Sequence, residues 1–125
     1  MTDAANSGVT ITAVKGCLVA TLHANLHESV FDAIRDTTLA RVSSSNATAV
    51  IFDLSAVRLL DCFEFENLRK LAEMLSLLGC RTMLVGLTAG VVAYLVDHGA
   101  STKGIEVELG LEDALDRLVQ GQLAG

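Results

Sequence analysis

The chain has 125 residues, 51% of them hydrophobic and 4% aromatic, which suffices for one domain with an aliphatic core. Its formal net charge of −6 at pH 7 argues against nucleic acid or an anionic membrane as a main partner. No apolar run reaches the roughly 18 residues that a membrane span requires, and the polar N-terminus lacks the basic region of a signal peptide, so a cytoplasmic protein is expected.

The first predicted elements form a β-hairpin followed by a helix. Residues 9–14 alternate between apolar and polar, Lys15-Gly16 has the composition of a tight turn, and residues 17–22 form the returning strand. From about His27 the hydrophobic period becomes helical, and the serine-rich segment 43–46 ends it.

The rest of the chain alternates between strands and helices. A β-branched run at residues 48–53 is typical of a central strand that is buried on both faces. The elements that the hydrophobic periods predict after it are a helix at 62–78, a strand at 81–87, a helix at 89–98, a short edge strand at 105–107 and a helix at 111–119.

This order predicts an α/β fold with a mostly parallel sheet, an N-terminal hairpin and about four helices, because strand–helix–strand units cross over with one hand. We assign the domain to residues 9–120 and expect flexible ends at 1–8 and 121–125. Ligands and partners of such sheets meet the loops that follow the strands. Those loops are the links 55–62 and 86–89, which are expected at the same edge of the sheet.

The junction after the central strand is the most informative segment. Asp61 and Cys62 are predicted at a helix N-terminus, where free amide groups favour anions. Asp61 and Glu64 have the spacing of a capping box, and Thr88 is predicted to cap the following helix. The carboxylate of Asp53 either orients the loop after the strand or is simply exposed.

Cysteine and histidine spacing predicts neither a metal site nor a disulfide framework. Cys17, Cys62 and Cys80 are odd in number and far apart, without the pairs that bind zinc. The histidines are dispersed, and the chain has no glycine-rich phosphate loop of the Walker or Rossmann kind. No metal and no cofactor are expected.

The order of elements and the junction motifs resemble the STAS domain family, which includes the anti-sigma factor antagonists, from about residue 9 to residue 119. Within this family the RsbS-type stressosome scaffold proteins are the most similar, since they are bare STAS domains whose switch motif reads Asp-Ser-aromatic. The residues that carry the resemblance are Asp53, the triplet Asp61-Cys62-Phe63 and the junction Val85-Gly86-Leu87-Thr88.

The resemblance implies a non-enzymatic regulatory and scaffold protein that acts in stress-response signal transduction by partner switching. Its implied partners are a switch serine/threonine kinase or anti-sigma factor and other STAS proteins, in a homo- or hetero-oligomer. The implied partner-binding residues are Asp53, Ser55, Asp61, Phe63 and Glu64.

In that family the kinase phosphorylates the hydroxyl that follows the aspartate, and here Cys62 occupies that position. A thiol is not a substrate for ordinary serine/threonine kinases, so Cys62 is either an inert residue, a lock in the unphosphorylated-like state or a redox-sensitive thiol. Thr88 is the best secondary phosphorylation site. The alternative functions are a thiol-based redox sensor that uses Cys62 and a STAS module that binds a small ligand or nucleotide.

Overall fold

The structure is a computed structural model that describes residues 8–23 and 26–124. Within these residues, five strands form one sheet in the order β1-β2-β3-β4-β5. β1 and β2 pair antiparallel as a hairpin, and the other neighbours pair parallel. The strands are β1 (Val9–Val14), β2 (Cys17–Leu22), β3 (Ala49–Asp53), β4 (Arg81–Val85) and β5 (Glu106–Glu108).

Four helices connect or follow the strands in the described part of the chain, which confirms the predicted α/β fold with its hairpin. They are α1 (Glu28–Ser43), α2 (Cys62–Leu77), α3 (Ala89–Asp97) and α4 (Leu111–Ala124).

The largest differences from the predicted boundaries are at β4 and α4. β4 ends at Val85 because Gly86 adopts φ +84°, a left-handed conformation that takes the backbone out of the strand. α4 extends to Ala124 instead of ending at residue 119. The expected flexibility of the chain ends stays a prediction, since residues 1–7 and 125 lie outside the described residues.

The core has two layers because β3 and β4 alternate their side chains between both faces of the sheet. Val50, Phe52 and Leu84 pack with α1, α2 and α3 on one face, whereas Ile51 and Met83 pack with α4 on the other. All five of these side chains have no exposed surface. The predicted central strand is therefore confirmed, and it holds the loop that follows Asp53 at a rigid edge.

Candidate functional site

The loops that follow β3 and β4 leave the sheet at the same edge, as predicted. Asp53 at the end of β3 lies opposite Val85 at the end of β4 in a parallel register. The Leu54 N–H donates to the Val85 carbonyl at 2.8 Å, which extends the pairing one residue past β3. The residues singled out from the sequence on the β3–α2 loop thus start beside the β4–α3 loop that carries Thr88.

The Asp53 carboxylate orients the loop that follows β3. Its Oδ1 accepts hydrogen bonds from the Ser55 N–H at 2.9 Å and from the Ser55 hydroxyl at 2.6 Å. This is an Asx turn, in which the side chain substitutes for a backbone acceptor. Of the two alternatives that the sequence left open for Asp53, the structure shows the orienting one.

Gly86 closes the turn from the side of β4. A Cβ atom at this position would lie 2.4 Å from the Ser55 Oγ and 2.8 Å from the Ser55 nitrogen. The Gly86 N–H donates to the Leu109 carbonyl at 3.2 Å. Gly86 therefore brings the loop after β5 into contact with the site, and no local pattern in the sequence indicates that contact.

Asp61 and Glu64 form the predicted capping box at the start of α2. The Asp61 carboxylate accepts from the Glu64 N–H at 2.7 Å, and the Glu64 carboxylate accepts from the Asp61 N–H at 3.1 Å. The reciprocal bonds satisfy two amide groups that the helix itself leaves free. Both acids are thus held in place beside Cys62, the first residue of the helix.

We expect Asp61→Ala to lower the free energy of unfolding by about 1 kcal/mol, because it removes the cap of α2. Asp61→Asn retains a side-chain oxygen that can accept from the Glu64 N–H, so its loss should be clearly smaller. Urea denaturation of the three proteins measures the difference. Equal losses for the alanine and asparagine variants would contradict a capping role.

The three cysteines lie in different environments, and all are free thiols. Burial raises the pKa of the thiols of Cys17 and Cys80, which belong to the clusters on opposite faces of the sheet. Cys62 is only partly buried and packs against the edge of the first cluster.

A groove of about 650 Å³ lies between the β3–α2 loop and the start of α3. Thr88 caps α3, since its hydroxyl accepts from the Val91 N–H at 3.2 Å, which confirms the predicted cap. The groove thus carries the capped ends of two helices. Its lining residues are His27, Arg58, Leu59, Leu60, Asp61, Glu64, Thr88, Gly90, Val91 and Tyr94.

Large apolar side chains are exposed around these helix ends. Leu59, Phe63 and Leu109 expose 71%, 65% and 87% of their surface. Phe63 lines a second, smaller groove between α1 and α2, whose volume is about 230 Å³. Exposed apolar side chains among polar ones are typical of surfaces that contact other proteins.

We call this surface the strand-end surface. Its polar members, Cys62 and Phe63 are predicted from the sequence, whereas Leu59 and Leu109 are not. The signal in the sequence for Leu59 is the presence of several apolar residues in the predicted loop 55–62. The surface consists of Asp53, Ser55, Leu59, Asp61, Cys62, Phe63, Glu64 and Leu109.

The described residues hold no group of three or more histidine, cysteine, aspartate or glutamate side chains placed to bind a metal ion. None of the helices in the described ranges is both long and apolar enough to cross a membrane. The strand-end surface is built from the Asx turn at Asp53, the capping box of α2 and exposed apolar side chains.

Solved structures share this fold over nearly their whole length. A substituted form of RsbS from Moorella thermoacetica is 25% identical, with a TM-score of 0.75 over 90% of this chain and 95% of that one. A protein chain of the stressosome, a signal integration and transduction hub, is 23% identical, with a TM-score of 0.69 over 89% of this chain and 96% of that one. The anti-sigma factor antagonist SpoIIAA in its unphosphorylated form is 17% identical, with a TM-score of 0.70 over 90% and 96%.

The sequence itself also matches a known family. No curated protein matches the chain significantly. The sequence model of the STAS domain matches residues 6–114, which include all five strands and the whole strand-end surface. The resemblance inferred from the motifs is confirmed, and the chain belongs to the STAS domain family.

Proposed function

We propose that the chain is a non-enzymatic regulatory and scaffold protein of a partner-switching pathway, similar in role to the RsbS-type stressosome proteins. It binds a switch serine/threonine kinase or an anti-sigma factor through the strand-end surface and assembles with itself or with other STAS proteins. The observation that carries the proposal is the exposure of Leu59 and Phe63 on either side of the capped α2 start at Asp61.

The geometry of the surface supports binding to another protein. Leu59 and Phe63 offer apolar area on a support that is fixed by the capping box and by the Asx turn at Asp53. Preformed loops lose little conformational entropy on binding, which favours affinity. The Arg58 and Thr88 side chains in the adjoining groove add polar contacts that can select the partner.

Cys62 determines how such a site is regulated. A phosphate on the first residue of α2 would place a dianion at the positive end of the helix dipole and next to the Asp61 carboxylate. That change of charge would alter the binding of a partner at Asp61 and Phe63. Since Cys62 offers sulfur instead of a hydroxyl, we propose that the chain stays in the unphosphorylated, partner-binding form.

The test is incubation of the wild type and Cys62→Ser with the cognate kinase and ATP. We expect both proteins to bind the kinase and only the serine variant to take up phosphate at position 62, identified by mass spectrometry. A kinase that binds neither protein would overturn the proposal.

The control tests whether the kinase phosphorylates Thr88 instead of residue 62. Thr88 is an exposed residue at the α3 cap and lines the same groove as Asp61, whereas the Ser55 hydroxyl donates to Asp53. Uptake of phosphate by the wild type that Thr88→Ala abolishes would move the switch to Thr88. It would also contradict the locked state proposed for Cys62.

A further inference from the structure

The two edges of the sheet differ in their protection against pairing with another strand. At one edge, β5 has only three residues, with Glu106 and Glu108 on either side of Val107. Glu106 accepts hydrogen bonds from Arg81 at 2.7 and 3.0 Å, and Glu108 accepts from Arg117 at 2.6 Å. Short, charged strands are the usual protection of a sheet edge, so β5 is closed to a further strand.

The opposite edge, β1, is twice as long and contains no charged residue and no proline. The bond from the His23 N–H to the Gly8 carbonyl at 2.9 Å, together with the register, shows which backbone groups face β2. Gly8 and His23 are a hydrogen-bonded pair, and hydrogen-bonded and non-hydrogen-bonded pairs alternate along an antiparallel hairpin. The N–H and C=O groups of Val9, Ile11 and Ala13 therefore point away from β2. β1 therefore presents a row of outward groups at regular spacing.

One of these groups is occupied by a side chain from α1. The Arg41 guanidinium donates to the Ile11 carbonyl at 3.3 Å, and this bond is exposed to solvent. Thr10, Thr12 and Ala13 are exposed on the same strand. A single solvent-exposed bond is weak and can be exchanged for a backbone bond.

We propose that β1 is a self-association surface, on which β1 of a second copy pairs antiparallel about a twofold axis at Ile11, and that Arg41 opposes this pairing. About such an axis Ile11 lies opposite its counterpart and Val9 lies opposite Ala13, so the outward groups of one copy meet those of the other. In this register each outward N–H and C=O group of Val9, Ile11 and Ala13 faces a matching group of the second copy, and neither strand carries a charge that would oppose the contact.

Arg41 opposes the pairing in two ways. It occupies the Ile11 carbonyl at the centre of the contact, and the twofold axis brings the two Arg41 side chains near each other, where like charges repel. The inference rests on the self-assembly part of the proposed function and names its surface. It involves the edge of the sheet and leaves the strand-end surface free for the partner.

Amide hydrogen exchange followed by NMR tests the pairing in the wild type. The Ile11 and Ala13 amides should exchange quickly at low protein concentration and become protected as the concentration rises. The Thr10 and Thr12 amides face β2 and should be protected throughout. Exchange of Ile11 and Ala13 that does not depend on concentration would overturn the proposal.

Sedimentation velocity of variants tests whether Arg41 opposes the pairing of β1. We expect Arg41→Ala to associate about tenfold more tightly, since one competing bond is lost from each copy. Arg35→Ala is the matched control, because Arg35 is on the same helix and pairs with Asp32 and Asp36. Association that is unchanged in Arg41→Ala, or equally raised in Arg35→Ala, would contradict the role of Arg41.

Ala13 provides a test that does not depend on Arg41. Ala13→Pro removes an outward N–H that makes no bond to β2 and should return the Arg41→Ala protein to a monomer, whereas Ala13→Ser should not. Equal association of the two Ala13 variants would overturn the proposal. The affinity of the same proteins for the kinase tests the strand-end surface independently of β1. Failure of the pairing and failure of the proposed function can therefore be told apart.

Discussion

Gly86→Ala is expected to lower the free energy of unfolding by about 2–5 kcal/mol. The φ of +84° costs an alanine about 1–2 kcal/mol relative to glycine. The added Cβ would lie 2.4 Å from the Ser55 Oγ and 2.8 Å from the Ser55 nitrogen, and the second of these atoms is backbone that cannot simply rotate away. The remaining 1–3 kcal/mol or so is the typical cost of such overpacking.

Gly79→Ala is the matched control, because Gly79 also has φ +84° but nothing lies within 4 Å of its added Cβ. It should lose only the backbone contribution. Urea denaturation with an unchanged m-value measures both losses. Equal destabilisation by the two substitutions would show that the contact with Ser55 costs nothing, and would contradict the close packing of the two loops.

The substitution also separates stability from function. At a temperature where Gly86→Ala is still folded, displacement of Ser55 should disturb the Asx turn with Asp53 and the adjoining strand-end surface. Partner affinity should therefore fall in Gly86→Ala and stay unchanged in Gly79→Ala. Titration of the purified kinase with each folded variant measures this difference.

Local patterns were sufficient to predict the elements and the caps. The buried run that became β3 is β-branched and short, which distinguishes it from a helix. The capping box depends on two acids three residues apart, Asp61 and Glu64, and the Thr88 cap on one hydroxyl before a helical period. Each of these features is decided by residues that are close along the chain.

The parts of the site that depend on distant contacts could not be predicted in this way. Leu109 joins the strand-end surface only because its carbonyl accepts from the Gly86 N–H. Leu59 is exposed while Val57 and Leu60, its neighbours in the loop, are buried. The direction of each side chain in such a loop is decided by packing against the core, and no hydrophobic period reports it.

The edge position of β1 is another feature that local sequence patterns do not predict. The alternation of residues 9–14 predicts a half-buried strand, which β1 is. The sequence does not show that β1 lies at the edge of the sheet, nor that Arg41, thirty positions from Ile11, reaches its carbonyl. Strand order is a property of the crossovers, so protection of an edge is visible only once the sheet is assembled.

Leu59→Ala and Phe63→Ala are expected to weaken partner binding about 10- to 100-fold each, which corresponds to the 1.4–3 kcal/mol or so of a typical apolar anchor. Both side chains are mostly exposed in the unbound protein, so the free energy of unfolding should change by less than about 0.5 kcal/mol. Titration calorimetry with the switch kinase, alongside thermal denaturation, measures the two quantities on the same samples.

Leu77→Ala is the control for loss of exposed apolar area in general. Leu77 exposes 88% of its surface at the far end of α2, away from Asp61. If the strand-end surface is the docking site, Leu77→Ala binds the kinase as the wild type does, while Leu59→Ala and Phe63→Ala do not. If all three variants bind equally, the partner contacts another surface. A loss confined to Phe63→Ala would shift the contact to the groove between α1 and α2, which Phe63 lines and Leu59 does not.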